Sequence, residues 1–329
     1  MKRRTFLATA IGAIGASAAC TFGTWPAGAR LHTGTALAFG TTINIAVVHA
    51  DEKLARRAIA AALSAAQQVD RLMSIYHPAS QVFRLNRDGV LHQPDPQLLA
   101  VLEQARGLSL LTDGAFDISV QPLWRAYSTA AARGALPDAA QQDRALALVD
   151  WRGVRVSADR IELAQHGMAI TLNGLAQGYA ADLALAAVRA HGIEHALLDT
   201  GEFAAAGRKH GQPWTLGVRA PRDPQALAAT LCLDGRSMAT SGDYEMTFTP
   251  DYMHHHIFDP KAGDSPRQLA SVTVLAPSAM LADGLSTAFM VLGADRSMTL
   301  AARLTGVDLL AIDKAGRPWR SAGIAPAAV

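Results

Sequence analysis

Asp283 and Thr287 stand four residues apart in SVTVLAPSAMLADGLSTAFMVLG, residues 271–293. Four residues make about one helical turn, so in a helix both side chains share a face. A carboxylate and a hydroxyl among Met, Leu and Ala fill a core poorly. As two hard oxygens they suit a cation such as Mg²⁺. The purely structural alternative is that Thr287 bonds back to the Asp283 carbonyl while Asp283 faces water. A second chemical group is the run His254, His255, His256, followed by Asp259-Pro260. Adjacent residues of an extended chain point to opposite faces, so three in a row make a poor zinc tripod. A single histidine acting as general base is more economical, because imidazole titrates near neutrality. Asp117, between Phe116 and Ile118, reads as a turn cap. GLAQG, residues 174–178, has two glycines before a helix and matches neither G-x-G-x-x-G nor a Walker loop, which argues against Rossmann and ATPase readings.

The elements that must position these groups follow from periodicity. SVTVLA reads as a short buried strand, Pro277 breaks it, and Ser278 caps a helix that stops at Gly293. Upstream, 41–48 alternates as a strand, with Gly40 marking a tight approach or bulge near its start. Residues 51–74 carry Leu54, Ala58, Ala62, Ala66 and Val69 at helical spacing. MSIYHPASQVFRLNRDG is predicted as loop or a broken turn of helix. A second amphipathic helix spans 95–111, with Pro96 in its first turn. FDISV is predicted to be extended, 139–149 helical, and 153–163 a hairpin. Residues 170–192 run from strand through a Gly-containing turn into a long helix. Further strands are predicted at 196–199 and 214–219, 237–241 leads into the loop that carries the three histidines, a helix is predicted at 295–304, and a last strand at VDLLAID. Four or five helices among strands of hairpin and crossover type predict an α+β (mixed α/β) fold in one compact domain.

The chain has 329 residues, half of them hydrophobic, and a formal net charge of +2. That is ample for one large or two small domains, and no basic block points to nucleic acid. Lys2-Arg3-Arg4, Phe6-Leu7 and a run of small apolar residues to Ala19 read as a signal peptide, too short and Gly/Ala-rich to span a membrane. Arg3-Arg4-Thr5-Phe6-Leu7 resembles a twin-arginine export signal, which implies the bacterial periplasm. Ala27-Gly28-Ala29 and Ser17-Ala18-Ala19 are candidate cleavage sites; the division adopted is 1–29 signal and 30–329 domain. Lipoprotein anchoring through Cys20 is not favoured, since Ser17 stands where Leu is expected. Cys20 and Cys232 are the only cysteines, so cleavage after Ala29 leaves no internal disulfide and no thiolate metal site.

Taken in order, seven blocks resemble the successive signatures of the ApbE family, the FAD:protein FMN transferases. They are MSIYHPASQVFRLN, TDGAFDISVQPLW, LNGLAQGYAADLA, LLDTGEFAAAG, ATSGDY, HHIFDPKAG and SVTVLAPSAMLADGLSTAFMVLG, and the resemblance runs from about Gly34 to about Asp313. It implies an enzyme that cleaves the FAD pyrophosphate and attaches FMN through a phosphoester to a Thr or Ser of a target flavoprotein, releasing AMP. It implies Mg²⁺ at Asp283, Thr287 and the Gly174 carbonyl, and His256 as the base. It places Phe39 (usually Met), Tyr76, Ala115, Phe116, Asp117, Thr171, Gln177 and Ile257 at the flavin.

Three positions depart from the family pattern. Thr171 replaces an acid, Gln177 a charged residue, and Met246 a common Arg. The T-L-N-G-x-A-Q-G-Y form is similar to the periplasmic NosX-type proteins of nitrous oxide reductase maturation, which implies a NosR-like membrane acceptor. The competing reading is a periplasmic FAD carrier or scaffold without transferase activity. Thr171 and Gln177 favour it; intact Asp283, Thr287 and His256 oppose it.

Overall fold

The computed structural model describes residues 28–324. The signal segment, apart from Gly28 and Ala29, and Cys20 lie outside them. In chain order the strands are β1 (Arg30–Ala38), β2 (Thr41–His49), β3 (Val90–His92), β4 (Val154–Val156), β5 (Arg160–Leu163), β6 (His195–Asp199), β7 (Phe203–Ala206), β8 (Trp214–Ala220), β9 (Asp223–Leu233), β10 (Ser237–Gly242), β11 (Leu269–Ala276), β12 (Asp308–Asp313) and β13 (Pro318–Arg320). The helices are α1 (Glu52–Met73), α2 (Gln81–Asp88), α3 (Pro96–Leu111), α4 (Gln121–Ala131), α5 (Ala139–Leu146), α6 (Ala176–Ala190), α7 (Ala279–Leu292) and α8 (Ala294–Ala301). Eight strands form one sheet in the order β1-β2-β6-β7-β10-β11-β12-β13; β3-β5-β4 and β8-β9 stand apart. The fold is α+β. Among the described residues no helix is long and apolar enough to cross a membrane.

β11 is buried at every position, as expected of a strand in the middle of a sheet covered on both faces. α1 turns Ala55, Ala58, Ile59, Ala62, Ala66, Val69 and Met73 inward. Its alanines share a core with Ala181 and Ala184 of α6 and with Ala279. Small side chains let helix backbones approach, and α6 and α7 approach closest at Gly178. A Cβ there would meet the Ala279 carbonyl oxygen and stand 2.8 Å from the Asp283 Cβ. The two helices also exchange acids. Asp182 of α6 accepts from the Ala279 and Met280 amides that open α7 (2.8 and 3.0 Å), and Asp283 of α7 accepts from Gly178 N near the start of α6 (3.1 Å). Each carboxylate meets amides that a helix end leaves unpaired.

Several predicted boundaries shift for local reasons. MSIYHPASQVFRLNRDG contains a full helix, α2. Ser80 caps it through Val82 N and Phe83 N, and Gly89 ends it at φ 74°. FDISV is not extended: the Asp117 side chain caps a 3₁₀ turn, Ile118–Val120, which feeds directly into α4. Residues around Ile170 form no strand, because the Asn86 side chain takes both backbone bonds of Ile170, donating to its oxygen (2.8 Å) and accepting from its nitrogen (2.7 Å). Gly40 is no bulge. With Phe39 it forms the two-residue turn of the β1–β2 hairpin, at φ 54° and 76°.

Between β10 and β11 the chain leaves the sheet over residues 243–268. His255 pins this excursion from within. It is fully buried, its ring lies 3.2 Å from the Pro266 carbonyl, and its amide donates to Ser265 Oγ (2.8 Å). Burial pushes the imidazole down from 6.5 to about 4.

Two outcomes follow. Gly178→Ala forces α7 off α6, an overpacking cost of about 2 kcal/mol; urea unfolding is expected to show a lowered midpoint. For His255 the folded-state pKa lies below the unfolded one, so the unfolded chain binds the extra proton between pH 6.5 and about 4. Its contribution is whole above 6.5 and lost as pH falls towards 4, on the order of 3 kcal/mol. Melting temperatures across this window are expected to fall more steeply for wild type than for His255→Gln; parallel curves would assign the acid sensitivity elsewhere.

Candidate functional site

Asp283 is 4% exposed, so it does not face water. Burial raises its pKa to about 7, and neighbouring Asp182 adds to the rise. Nor does Thr287 bond back to Asp283; Ser286 makes that bond, its Oγ donating to Asp283 O at 2.8 Å. Thr287 Oγ1 is left to Ser241 Oγ of β10, 3.2 Å away. Gly174 abuts the same hydroxyl. A Cβ at Gly174 would stand 3.0 Å from Thr287 Oγ1 and 3.4 Å from the Phe116 ring. Thr287, Gly174 and Phe116 therefore border one place, and Asp283, one turn earlier on α7, lies against Gly178 of α6.

A second carboxylate belongs to it. Glu202 is 8% exposed, and its Oε2 accepts from Thr240 N (3.2 Å). Burial raises its pKa well above the usual range, with the Asp283 charge as the next cause. Among the described residues neither Glu202 nor Asp283 is paired with a Lys or Arg. Among them, too, no three His, Cys, Asp or Glu side chains cluster as a metal site. What stands near the crossing is instead the Asp283 carboxylate and the Thr287 hydroxyl, two hard oxygens one helical turn apart. Two buried carboxylates without a basic partner suit a positive guest.

The flavin candidates divide by environment. Ala115 and Phe116 are buried. The Asp117 carboxylate is committed to the chain: Oδ1 accepts from Ser119 N and Oγ (2.7 and 2.6 Å), and Oδ2 from Trp151 N (3.0 Å). Burial raises its pKa against these bonds. Thr171 joins the patch through its amide, which donates to Ile118 O (2.8 Å), and its hydroxyl accepts from Asn173 N. Gln177 exchanges bonds with Thr200: its amide donates to the Thr200 carbonyl (3.2 Å), and the Thr200 hydroxyl donates to the Gln177 carbonyl (2.8 Å). Tyr76 is 65% exposed and edge-on to Trp124 at 6.2 Å. Phe39 is half-buried against the main core in a left-handed conformation uncommon for a bulky side chain. The Ile257 side chain lies in that core.

The histidines alternate as the extended-chain argument requires. His255 points inward; His254 and His256 are half-buried. His254 Nδ1 lies 2.8 Å from Asp264 Oδ1, which also accepts from Tyr127 OH at 2.9 Å. His256 is different. Met246 O accepts from its amide (3.0 Å) and lies 3.3 Å from its Nδ1. A carbonyl can only accept, so Nδ1 carries the proton and Nε2 keeps its lone pair. Burial lowers the pKa of His256, which favours the neutral ring.

The sequence argument singled out neither Asn86, Asp182, Glu202 nor Ser241 by role. All four lie within the family-like blocks, but nothing in their own spacing marks them. Asp182 reads as one more acid on a helix until its partners, 97 and 98 residues away, are known.

The ApbE family model matches residues 39–311. An FAD:protein FMN transferase of Treponema pallidum is 34% identical over 250 residues, 70% of this chain and 69% of that one. One from Klebsiella pneumoniae is 29% identical over 294 residues, 87% of this chain and 90% of its own. The crystal structure of the ApbE protein from Thermotoga maritima superposes with a TM-score of 0.80 at 28% identity, covering 89% of this chain and 97% of that one. The apo flavinyl transferase ApbE of Pseudomonas stutzeri gives 0.75 at 30% identity, over 89% and 95%. With the family's span enclosing the α6–α7 crossing, His256 and Ala115–Asp117 alike, this chain belongs to the ApbE family.

Proposed function

We propose that this chain is an FAD:protein FMN transferase that works with a divalent cation, Mg²⁺, held by Asp283, Thr287 and the Gly174 carbonyl. The observation that carries the reading is the buried Asp283 carboxylate, without a Lys or Arg partner among the described residues and one helical turn from Thr287, whose hydroxyl abuts Gly174. Relatives named FAD:protein FMN transferase support it at 34% and 29% identity.

In this reading His256 Nε2 takes the proton from a Thr or Ser hydroxyl of the target flavoprotein. The freed oxygen attacks the phosphorus on the FMN side of the FAD pyrophosphate. The bond from that phosphorus to the bridging oxygen breaks, and AMP leaves with the electron pair. Asp283, Thr287 and the Gly174 carbonyl would hold the cation, which when bound would supply charge neutralisation at the pyrophosphate. Phe116, Ala115 and Thr171 border the flavin, with Tyr76 and Phe39 at its margins. Thr171 and Gln177 are uncharged and hydrogen-bonded within the chain.

The N-terminal segment supports export by the twin-arginine route to the periplasm. The T-L-N-G-x-A-Q-G-Y form supports a role in nitrous oxide reductase maturation with a NosR-like membrane acceptor. Replacing Arg3 and Arg4 with Lys is expected to retain the protein in the cytoplasm on cell fractionation; unchanged periplasmic recovery would remove this route.

Transfer is read as covalent flavin fluorescence on an acceptor in a denaturing gel. Asp283→Ala is expected to abolish both transfer and Mg²⁺-dependent heat in isothermal titration. His256→Ala is expected to keep FAD and Mg²⁺ binding and lose transfer by about 10²–10⁴-fold, while His254→Ala does not. Wild-type transfer by Asp283→Ala would move the metal site; wild-type transfer by His256→Ala would remove it as base.

A further inference from the structure

His256 owes its tautomer to the Met246 carbonyl, and the three residues before it in the excursion from β10 are gripped from one side. Asp243 is fully buried and accepts both prongs of the Arg222 guanidinium, at 2.7 Å each. Arg219 lies 4.5 Å over the Tyr244 ring and pairs with Glu245. Both arginines stand at the turn end of the β8–β9 hairpin. Lys314, from the turn between β12 and β13, closes the assembly by donating to Asp243 Oδ2 (2.7 Å) and to Tyr252 O (2.6 Å). Arg222 also stacks on Tyr252 at 4.1 Å, and Tyr252 is itself left-handed at φ 61°.

Desolvating a carboxylate and two cations is expensive, and apolar side chains would anchor a loop at lower cost. What the ionic cluster adds is direction. A bidentate Arg–carboxylate pair fixes orientation as well as position. Asp243 stands two residues after Ser241, which touches Thr287, and three before Met246, which holds His256. The cluster is thus the mechanical link in the chain between the cation donors and the base.

We propose that Arg222 and Asp243 are positioning residues for His256: the β8–β9 hairpin sets the Asp243–Met246 turn, and that turn sets the carbonyl which fixes the ring. The proposal rests on the reading of His256 as base, but it has a signature of its own. In full-length protein, ¹⁵N shifts of the His256 ring report which nitrogen carries the proton. Arg222→Gln is expected to mix the tautomers and to lower kcat of FMN transfer by about 10- to 100-fold, with KM for FAD within about twofold. Arg222→Lys, which keeps the charge but not the fork, is expected to recover only part of the loss. Asp243→Asn is expected to act in the same direction. Should it fail to fold, Arg222→Gln carries the test, because the Arg222 side chain is 37% exposed. An unchanged ring tautomer in folded Arg222→Gln overturns the proposal whatever the activity. Wild-type transfer by His256→Ala, with the tautomer shift still present in Arg222→Gln, would instead overturn only the base.

Discussion

Everything at the site depends on how closely α6 and α7 cross. At Gly178 the crossing leaves no room for a side chain, and the gap that results is shorter than van der Waals packing of any Cβ allows. That approach lets Asp283 reach an amide of α6 while Asp182 reaches the opening amides of α7. The exchange satisfies backbone groups that helix ends leave unpaired. It also strands a carboxylate in the interior with its charge only partly met. The consequence is a raised pKa and a place that favours a cation. Remove the close approach, and Asp283 loses the Gly178 amide that partly meets its charge.

The rest of the site is arranged around that crossing by side chains replacing regular structure. Asn86 stands in for a paired strand at Ile170, so the loop before α6 stays irregular and brings Gly174 against Thr287. Asp117 spends its carboxylate on a 3₁₀ turn and on Trp151, which fixes Phe116 beside the same place. These are local polar substitutions for ladder bonds, and each needs a partner distant in sequence. Ser241, the penultimate residue of β10, meets Thr287, and the next turn leads to the histidine.

This explains what was legible in the sequence. α7, its Ser278 cap and its Gly293 stop follow from spacing alone, as do α1, α3 and β11. The alternation of the three histidines follows from strand geometry, and it separates buried His255 from its neighbours. What was not legible depends on long-range partners. FDISV has the composition of a strand, and only the Asp117 side chain makes it a 3₁₀ turn. Ser80 and Gly89 are sound helix caps in retrospect, but the Pro and Asn nearby read as loop. That Asp283 is buried and accepts from Gly178 N, 105 residues away, depends on how α7 packs and not on its own spacing.

The claim that the α6–α7 crossing holds the catalytic cation is tested most directly by an anomalous difference map from crystals grown with FAD and Mn²⁺. The expected result is a peak within about 2.0–2.5 Å of Asp283, Thr287 Oγ1 and the Gly174 carbonyl, contacting the FAD pyrophosphate. A peak elsewhere, or none at this crossing in crystals whose protein transfers FMN in solution, would contradict it.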